Sequence, residues 1–240
     1  MSQELLRAEN ISKNFGAIQA LRQVNLILYQ NEIVGLVGDN AAGKSTLLKV
    51  IAGIYKPDEG RLFLGGREVR FKSPIESRSN GVEMVFQDFM LCPDLDIISN
   101  VFLGREKTNY QVVNRKAMRK AIEPILEETK FEFGSFRRKV RYLSGGQQQM
   151  VSILRACAFR PKILLLDEPT ASLSASASIE LLQFLTKLKE RHSMIYVSHD
   201  LPNVIKHSDR IVVLRAGTVV AEKNPDETDP VDLIKAFHGV

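Results

Sequence analysis

Apolar positions along the chain fall into two rhythms. Short runs dense in Ile, Val and Leu, bounded by Gly, Pro, Asn and Asp, read as strands. Longer stretches with apolar residues three and four apart read as helices. As far as Gln87 the pattern predicts strands over Leu5–Asn10, Ile18–Leu28, Glu32–Val37, Arg61–Leu64, Glu68–Phe71 and Val82–Phe86, with helices over Thr46–Ile51 and Pro74–Asn80. Turns are expected at Phe15-Gly16, Asn31, Pro57-Asp58-Glu59-Gly60 and Gly65-Gly66. From residue 88 to 160 the character changes to helical. Asp96–Leu103 and Asn114–Lys130 carry the pattern, Pro124 is expected to kink or break the second, and no strand is expected. After Pro161 the alternation resumes. Strands are expected at Ile163–Leu166, Met194–Val197, Ile211–Leu214 and Thr218–Ala221, and helices at Leu201–His207 and Val231–His238. Ile179, Leu182, Leu185 and Leu188 share one face of a further helix. Such alternation implies an α/β domain with a mainly parallel sheet covered on both faces. A ligand site then lies beyond the C-terminal ends of the strands.

The strand ending at Val37 runs into Gly38-Asp39-Asn40-Ala41-Ala42-Gly43-Lys44-Ser45, which fits the phosphate-binding P-loop, and Thr46 continues into the helix. Successive backbone N–H groups make a concave anion site, and the following helix aims its positive end at it. Lys44 can reach the β- and γ-phosphates of a nucleotide, and the Ser45 hydroxyl can ligate Mg²⁺. A second motif, Ile163-Leu164-Leu165-Leu166-Asp167, runs a buried strand into a carboxylate that can hold Mg²⁺. Glu168 beside it is placed to polarise a water for attack on the γ-phosphate. In Leu143-Ser144-Gly145-Gly146-Gln147 a helix begins near Gly145, so the Ser144 hydroxyl and the glycine N–H groups form a second anion site.

Composition narrows the class without choosing the ligand. At 240 residues, 44% hydrophobic and 25% charged, the chain suits one large soluble domain. No apolar run spans a bilayer and no secretory signal opens the chain, so a cytosolic location is expected, with any membrane contact made through a partner. The net charge of +5 suits a polyanionic ligand without indicating nucleic acid. The densest basic cluster, Arg137-Arg138-Lys139 with Arg141, reads equally as a solvated loop or a contact surface. Cys92 and Cys157 form no pairing motif. Cys157 shares a helical face with Met150, Ile153 and Leu154 and is expected in the core.

The P-loop, LSGGQ, ILLLDEPT and a later His199, in that order, resemble the ATP-binding cassette (ABC) ATPases over nearly the whole chain. The resemblance implies a P-loop NTPase with an N-terminal antiparallel β subdomain and an inserted α-helical subdomain. A single domain over 1–240 would divide into a core with the β subdomain (1–87 and 161–240) and the helical subdomain (88–160). It implies ATP and Mg²⁺ as ligands. Ser144, Gly145, Gly146 and Gln147 would serve the ATP of a second subunit, in a head-to-tail dimer. Phe15 would stack on adenine, or pack on the core as a turn aromatic. Gln87 would touch Mg²⁺ and the attacking water and link the site to the helical insertion, and His199 would bond the γ-phosphate.

Two positions depart from the family pattern: Ala41 stands where the P-loop usually has Gly, and Ser174 where an Asp usually meets the partner subunit. Within the family the chain looks most like ATPase subunits of bacterial ribose, xylose and fructose importers. The stretches carrying this are Gly38-Asp39-Asn40, Met84–Asp88 and Ile98–Glu106. Their partners would be a polytopic membrane permease and, indirectly, a periplasmic solute-binding protein, with the chain peripheral on the inner face of the membrane. Competing readings are a soluble cassette ATPase acting on nucleic acid or ribosomes, and a regulatory nucleotide-binding module with little turnover.

Overall fold

The computed structural model describes residues 3–129 and 133–238. The elements run β1 (Glu4–Phe15), β2 (Ile18–Tyr29), β3 (Ile33–Val37), α1 (Lys44–Ile51), β4 (Glu59–Leu64), β5 (Arg67–Val69), α2 (Pro74–Ser79), β6 (Val82–Val85) and α3 (Ile97–Val101). They continue β7 (Thr108–Asn109), β8 (Val112–Val113), α4 (Arg115–Thr129), α5 (Gly145–Cys157), β9 (Ile163–Asp167), α6 (Ala175–Leu188), β10 (Ser193–Val197), α7 (Leu201–His207), β11 (Arg210–Arg215), β12 (Thr218–Lys223) and α8 (Pro230–His238). The chain forms two compact units, one of Met1–Met84, Lys162–Glu168 and Lys189–Val240, the other of Val85–Pro161 and Pro169–Leu188. The second takes in α6, which the sequence reading groups with the core.

The first unit is built on two sheets. The larger has the order β12-β11-β3-β10-β9-β6, and the smaller is β2-β1-β4-β5. β3 is parallel to β10 and β11, and β10 is parallel to β9. Every residue of β3, β9 and β10 is buried, as a sheet covered on both faces requires. The smaller sheet is antiparallel; β2 lies where the pattern predicts it, whereas β1 runs on past Asn10 to Phe15. The reason is irregular pairing. Register shifts between Ala8 and Ile11 and between Ile11 and Lys13 break the period of two that marks a strand in sequence. At the far end of the P-loop helix, Gly53 N–H bonds Val50 O at 3.1 Å and Ile54 N–H bonds Lys49 O at 2.9 Å, a Schellman closure.

The second unit corrects three sequence expectations. A two-stranded hairpin, β7 with β8, stands where no strand is expected. Its turn residues Tyr110 and Gln111 hold φ of 48° and 67° without the Gly or Asn that announces such a turn. Helix α4 is not broken at Pro124 but runs on to Thr129, with Met118, Ile122 and Ile125 buried along it. Ile179 is exposed; α6 instead buries Leu181, Leu182, Phe184, Leu185 and Leu188. It packs on α4 and α5. Lys130, expected to end α4, lies outside the described residues. Cys157 is buried with Met150, Ile153 and Leu154, as expected. Buried Asn100 pins the stretch before α3: its amide donates to the carbonyls of Cys92, Leu95 and Asp96 and accepts the Cys92 N–H. Of the basic cluster, Lys139 and Arg141 pair with Asp94.

Candidate active site

Three neighbouring parallel strands deliver the groups of the first unit to one edge of the sheet. Val197, the last residue of β10, is level with Leu36 of β3 on one side and with Asp167 of β9 on the other. The P-loop, His199 and the Asp167-Glu168 pair therefore emerge side by side.

Close packing requires glycine at both ends of the P-loop. At Gly38 (φ 150°) a Cβ would lie 2.0 Å from the Leu214 carbonyl oxygen, and at Gly43 (φ 105°) 2.6 Å from that of Ala20. The loop's own bonds are few: Ala42 N–H to Asp39 O at 3.1 Å, and Gly217 N–H to Ala42 O at 3.0 Å. No side chain caps α1. Among the described residues the N–H groups of Asn40, Ala41, Gly43, Lys44, Ser45 and Thr46 make no hydrogen bond, so they are available to an anion. Lys44 is buried, and its Nζ donates to the carbonyls of Gly38 at 2.7 Å and Asp39 at 2.8 Å. Burial lowers its pKa, opposed by the charges of Glu168, Asp167 and Asp39. Ala41 holds φ 63°, so the departure from glycine does fall on a left-handed position.

The Ser45 hydroxyl donates to Asp167 Oδ1 at 2.9 Å. Burial raises the Asp167 pKa against the pull of that bond and of Lys49 and Lys44. Among the described residues no three His, Cys, Asp or Glu gather as a metal cage. Two adjacent hard oxygen donors still suit Mg²⁺, which fills its remaining positions with water and phosphate oxygens.

Glu168 departs from ordinary backbone geometry. It holds φ 50°, and its N–H is tied to Val197 O at 3.1 Å, which keeps it beside β10. Its Oε1 lies 3.0 Å from His199 Nε2 yet is buried without an aligned hydrogen-bond donor. Burial pushes its pKa up to about 7, against a backbone bond from His199 and the charge of Lys44. A carboxylate with a spare acceptor position and a pKa near neutrality suits a general base. Burial, then the Lys44 charge, lowers the His199 pKa, which favours the neutral imidazole.

Phe15 ends β1 and is 42% exposed. It stands edge-on to Tyr55, with ring centres 5.1 Å apart. The sequence reading did not single out Tyr55. Its position directly after the P-loop helix was the available signal.

LSGGQ and Gln87 belong to the second unit. Ser144 is the N-cap of α5: its Oγ accepts the Gln147 N–H, and Gln147 Oε1 accepts the Ser144 N–H, both at 3.2 Å. The N–H groups of Gly145 and Gly146 make no bond among the described residues. Gly146 packs against α6, where a Cβ would lie 2.9 Å from that of Ala177, whereas a Cβ at Gly145 would make only ordinary contacts, the nearest at 3.7 Å. Gln87 is exposed, two residues past β6. Ser174 precedes α6 and its Oγ accepts the Ala177 N–H at 3.4 Å, so it serves as a helix cap in place of the family's Asp.

Known proteins share this arrangement. The family model described as ABC transporter matches residues 21–171. The chain is 40% identical over 235 residues to the xylose/arabinose import ATP-binding protein of Sulfolobus acidocaldarius, covering 98% of this chain and 94% of that one. It is 36% identical to the fructose import ATP-binding protein of Rhizobium meliloti, covering 100% and 96%. A ribose import ATP-binding protein of Caldanaerobacter subterraneus is 35% identical, and the chain spans 48% of its length. Among solved structures, an ATP-binding cassette of an ABC transporter in its ADP conformation matches with a TM-score of 0.85 at 29% identity, covering 99% of both chains. A dimeric bacterial ABC transporter cassette matches with a TM-score of 0.79 at 31% identity, covering 92% of this chain and 99% of the other. The chain belongs to the ABC transporter family, as an ATP-binding and ATP-hydrolysing cassette.

Proposed function

We propose that the chain is the ATPase subunit of a sugar importer, working as a head-to-tail pair on a polytopic permease at the cytoplasmic face of the membrane. The observation that carries the chemistry is the Ser45–Asp167 contact of 2.9 Å beside the orphaned Glu168 oxygen. In this reading the loop N–H groups and Lys44 bind the phosphates. Ser45, Asp167 and Gln87 hold Mg²⁺, which would neutralise developing phosphate charge. Glu168 accepts the proton of the attacking water, and His199 bonds the γ-phosphate. Phe15 stacks on adenine. Ser144, Gly145, Gly146 and Gln147 take the phosphate of the second subunit's ATP. The sugar-import names of the relatives support the cargo class, and a periplasmic solute-binding protein would deliver it. Among the described residues no helix is long and apolar enough to cross a membrane, so the permease would supply the pathway.

The stretch after Gln87 is the surface proposed for the permease. Ile97, Ile98 and Phe102 are buried, whereas Met90 is 59% exposed and Leu95 and Leu103 are partly exposed. Arg155 clamps the backbone beneath, donating to the carbonyls of Met90 at 2.6 Å and Phe89 at 3.2 Å. The Met90 side chain thus projects from a fixed backbone into the position a docking helix would occupy. Affinity purification should recover a polytopic membrane protein with the wild-type chain. Met90→Glu should lose that protein while still folding and hydrolysing ATP. Retention of the permease by Met90→Glu and by charged variants of Leu95 and Leu103 would move the coupling surface elsewhere.

A further inference from the structure

An exposed phenyl ring at the end of a hairpin has no intrinsic reason to keep one orientation. The Phe15 ring has two close neighbours. Lys13, two residues back on β1, sets its Nζ 5.6 Å from the ring centre. Lys13 is itself anchored by Asp58 Oδ1 at 2.8 Å, and Asp58 Oδ2 accepts the Asn14 N–H at 2.6 Å. Tyr55 also stands against Phe15, its ring inclined at 73° to it. Tyr55 is tied to the end of the P-loop helix, for its N–H bonds Lys49 O at 3.1 Å. Lys49 in turn reaches to 5.9 Å from the Tyr55 ring centre. A continuous line of contacts therefore runs from the helix that begins with Lys44 and Ser45, through Tyr55, to Phe15. The same stretch of β2 supports both ends: Ile18 pairs with Phe15, and the Ala20 carbonyl packs against Gly43.

We propose that Tyr55 is a positioning residue for nucleotide-base recognition. Its ring, set edge-to-face with Phe15, holds the Phe15 ring as a platform for the purine and ties that platform to the phosphate-binding helix. The inference rests on reading Phe15 as the adenine platform. An edge-to-face aromatic pair is worth enough to change a binding constant by about threefold to tenfold. The loss should fall on base binding alone, since among the described residues no hydrogen bond joins Tyr55 to the loop N–H groups.

The test compares binding of MgATP with binding of magnesium tripolyphosphate, which has no base. Phe15→Ala should weaken MgATP and leave tripolyphosphate unchanged. Tyr55→Ala should do the same to a smaller degree, about threefold to tenfold, and Tyr55→Phe should restore wild-type binding. The Phe15→Ala/Tyr55→Ala double variant should bind MgATP no worse than Phe15→Ala, because one residue acts through the other. Tyr55→Leu, which keeps the bulk without the ring, covers the case in which Tyr55→Ala does not fold. The inference is overturned if Phe15→Ala shows the base-specific loss while Tyr55→Ala and Tyr55→Leu do not, if the two losses add, or if tripolyphosphate weakens in step. Should Phe15→Ala bind MgATP as the wild type does, the platform reading itself fails and the inference goes with it.

Discussion

Two helix N-termini in this molecule are finished in different ways. Helix α1 begins with no side-chain cap, behind a Gly43 held at φ 105°, and with a buried lysine as its first residue. Helix α5 begins with a closed capping box, in which Ser144 and Gln147 satisfy each other's N–H groups. An uncapped end leaves its donors to be completed by a ligand, and Lys44 adds the charge. A capped end is already stable alone, and of its backbone donors those of Gly145 and Gly146 stay in reserve. The first unit therefore holds Lys44, Ser45, Asp167, Glu168 and His199, the groups proposed for binding and hydrolysis apart from Gln87, whereas the LSGGQ segment carries no cation or carboxylate of its own for the chemistry. A contributor of that kind would act on a nucleotide whose chemistry is supplied elsewhere, as the head-to-tail proposal requires.

The largest test of this asymmetry is Lys44→Ala. It removes the cation of the uncapped end, and both MgATP affinity and turnover should fall by about 10²–10³-fold. Binding like the wild type would mean that the N–H groups alone suffice and that the two termini differ less than argued.

Glu168→Gln separates chemistry from binding at the same end. Turnover should fall by about 10²-fold or more while ATP affinity remains, and the variant should elute as a dimer with ATP and as a monomer without it. The variant also has a pH signature in metal- and nucleotide-free protein. Burial holds the Glu168 carboxyl at about 7, against 4.5 for the free side chain. Its contribution favours the folded state most below pH 4.5 and is lost as pH rises to about 7. The non-ionising variant should exceed the wild-type Tm most above pH 7, and the excess should shrink towards pH 4.5. A pH-independent difference in Tm would show that Glu168 is solvated.

The next effect sorts the two glycines of the capped end. Gly146→Ala brings a methyl to 2.9 Å from the Ala177 Cβ, where no flexible side-chain end can yield, so α5 and α6 must part. The expected cost is about 1–3 kcal/mol. Gly145→Ala meets nothing nearer than 3.7 Å and should leave Tm unchanged or slightly raised. Equal Tm values for the two variants would remove the packing role of Gly146 and leave both glycines explained by ligand approach.

Much of this was legible in the chain because it rests on local chemistry. The P-loop, the apolar run into Asp167 and the Ser144–Gln147 box each declare their donors within a few residues. Buried parallel strands such as Ile163–Asp167 are continuous apolar runs, and those appear near their observed limits. Bulged pairing hid the far half of β1, and a turn without glycine hid the β7–β8 hairpin. Tyr55 was missed for a different reason: its significance lies in a contact with a residue forty positions away. The departure at Ala41 was visible, but only the backbone angle could say whether it mattered.

That angle carries the smallest expected effect. Ala41 holds φ 63°, where an L-residue costs about 1–2 kcal/mol through the contact of its Cβ with the carbonyl oxygen. Ala41→Gly relieves that strain. It also returns about 0.4–1 kcal/mol of conformational freedom to the unfolded chain, so the net stabilisation should be about 0.5–1 kcal/mol. No such gain exists at the capped end, where Ser144 sits at φ −64° in ordinary extended backbone. Because Ala41 is exposed, the substitution opens no cavity, and any change in thermal stability reports the backbone alone. A stabilised Ala41→Gly would show that the phosphate loop is held in a strained conformation by its surroundings. A destabilised variant would mean that Ala41 adopts this angle without cost, and that the uncapped terminus is no more strained than the capped one.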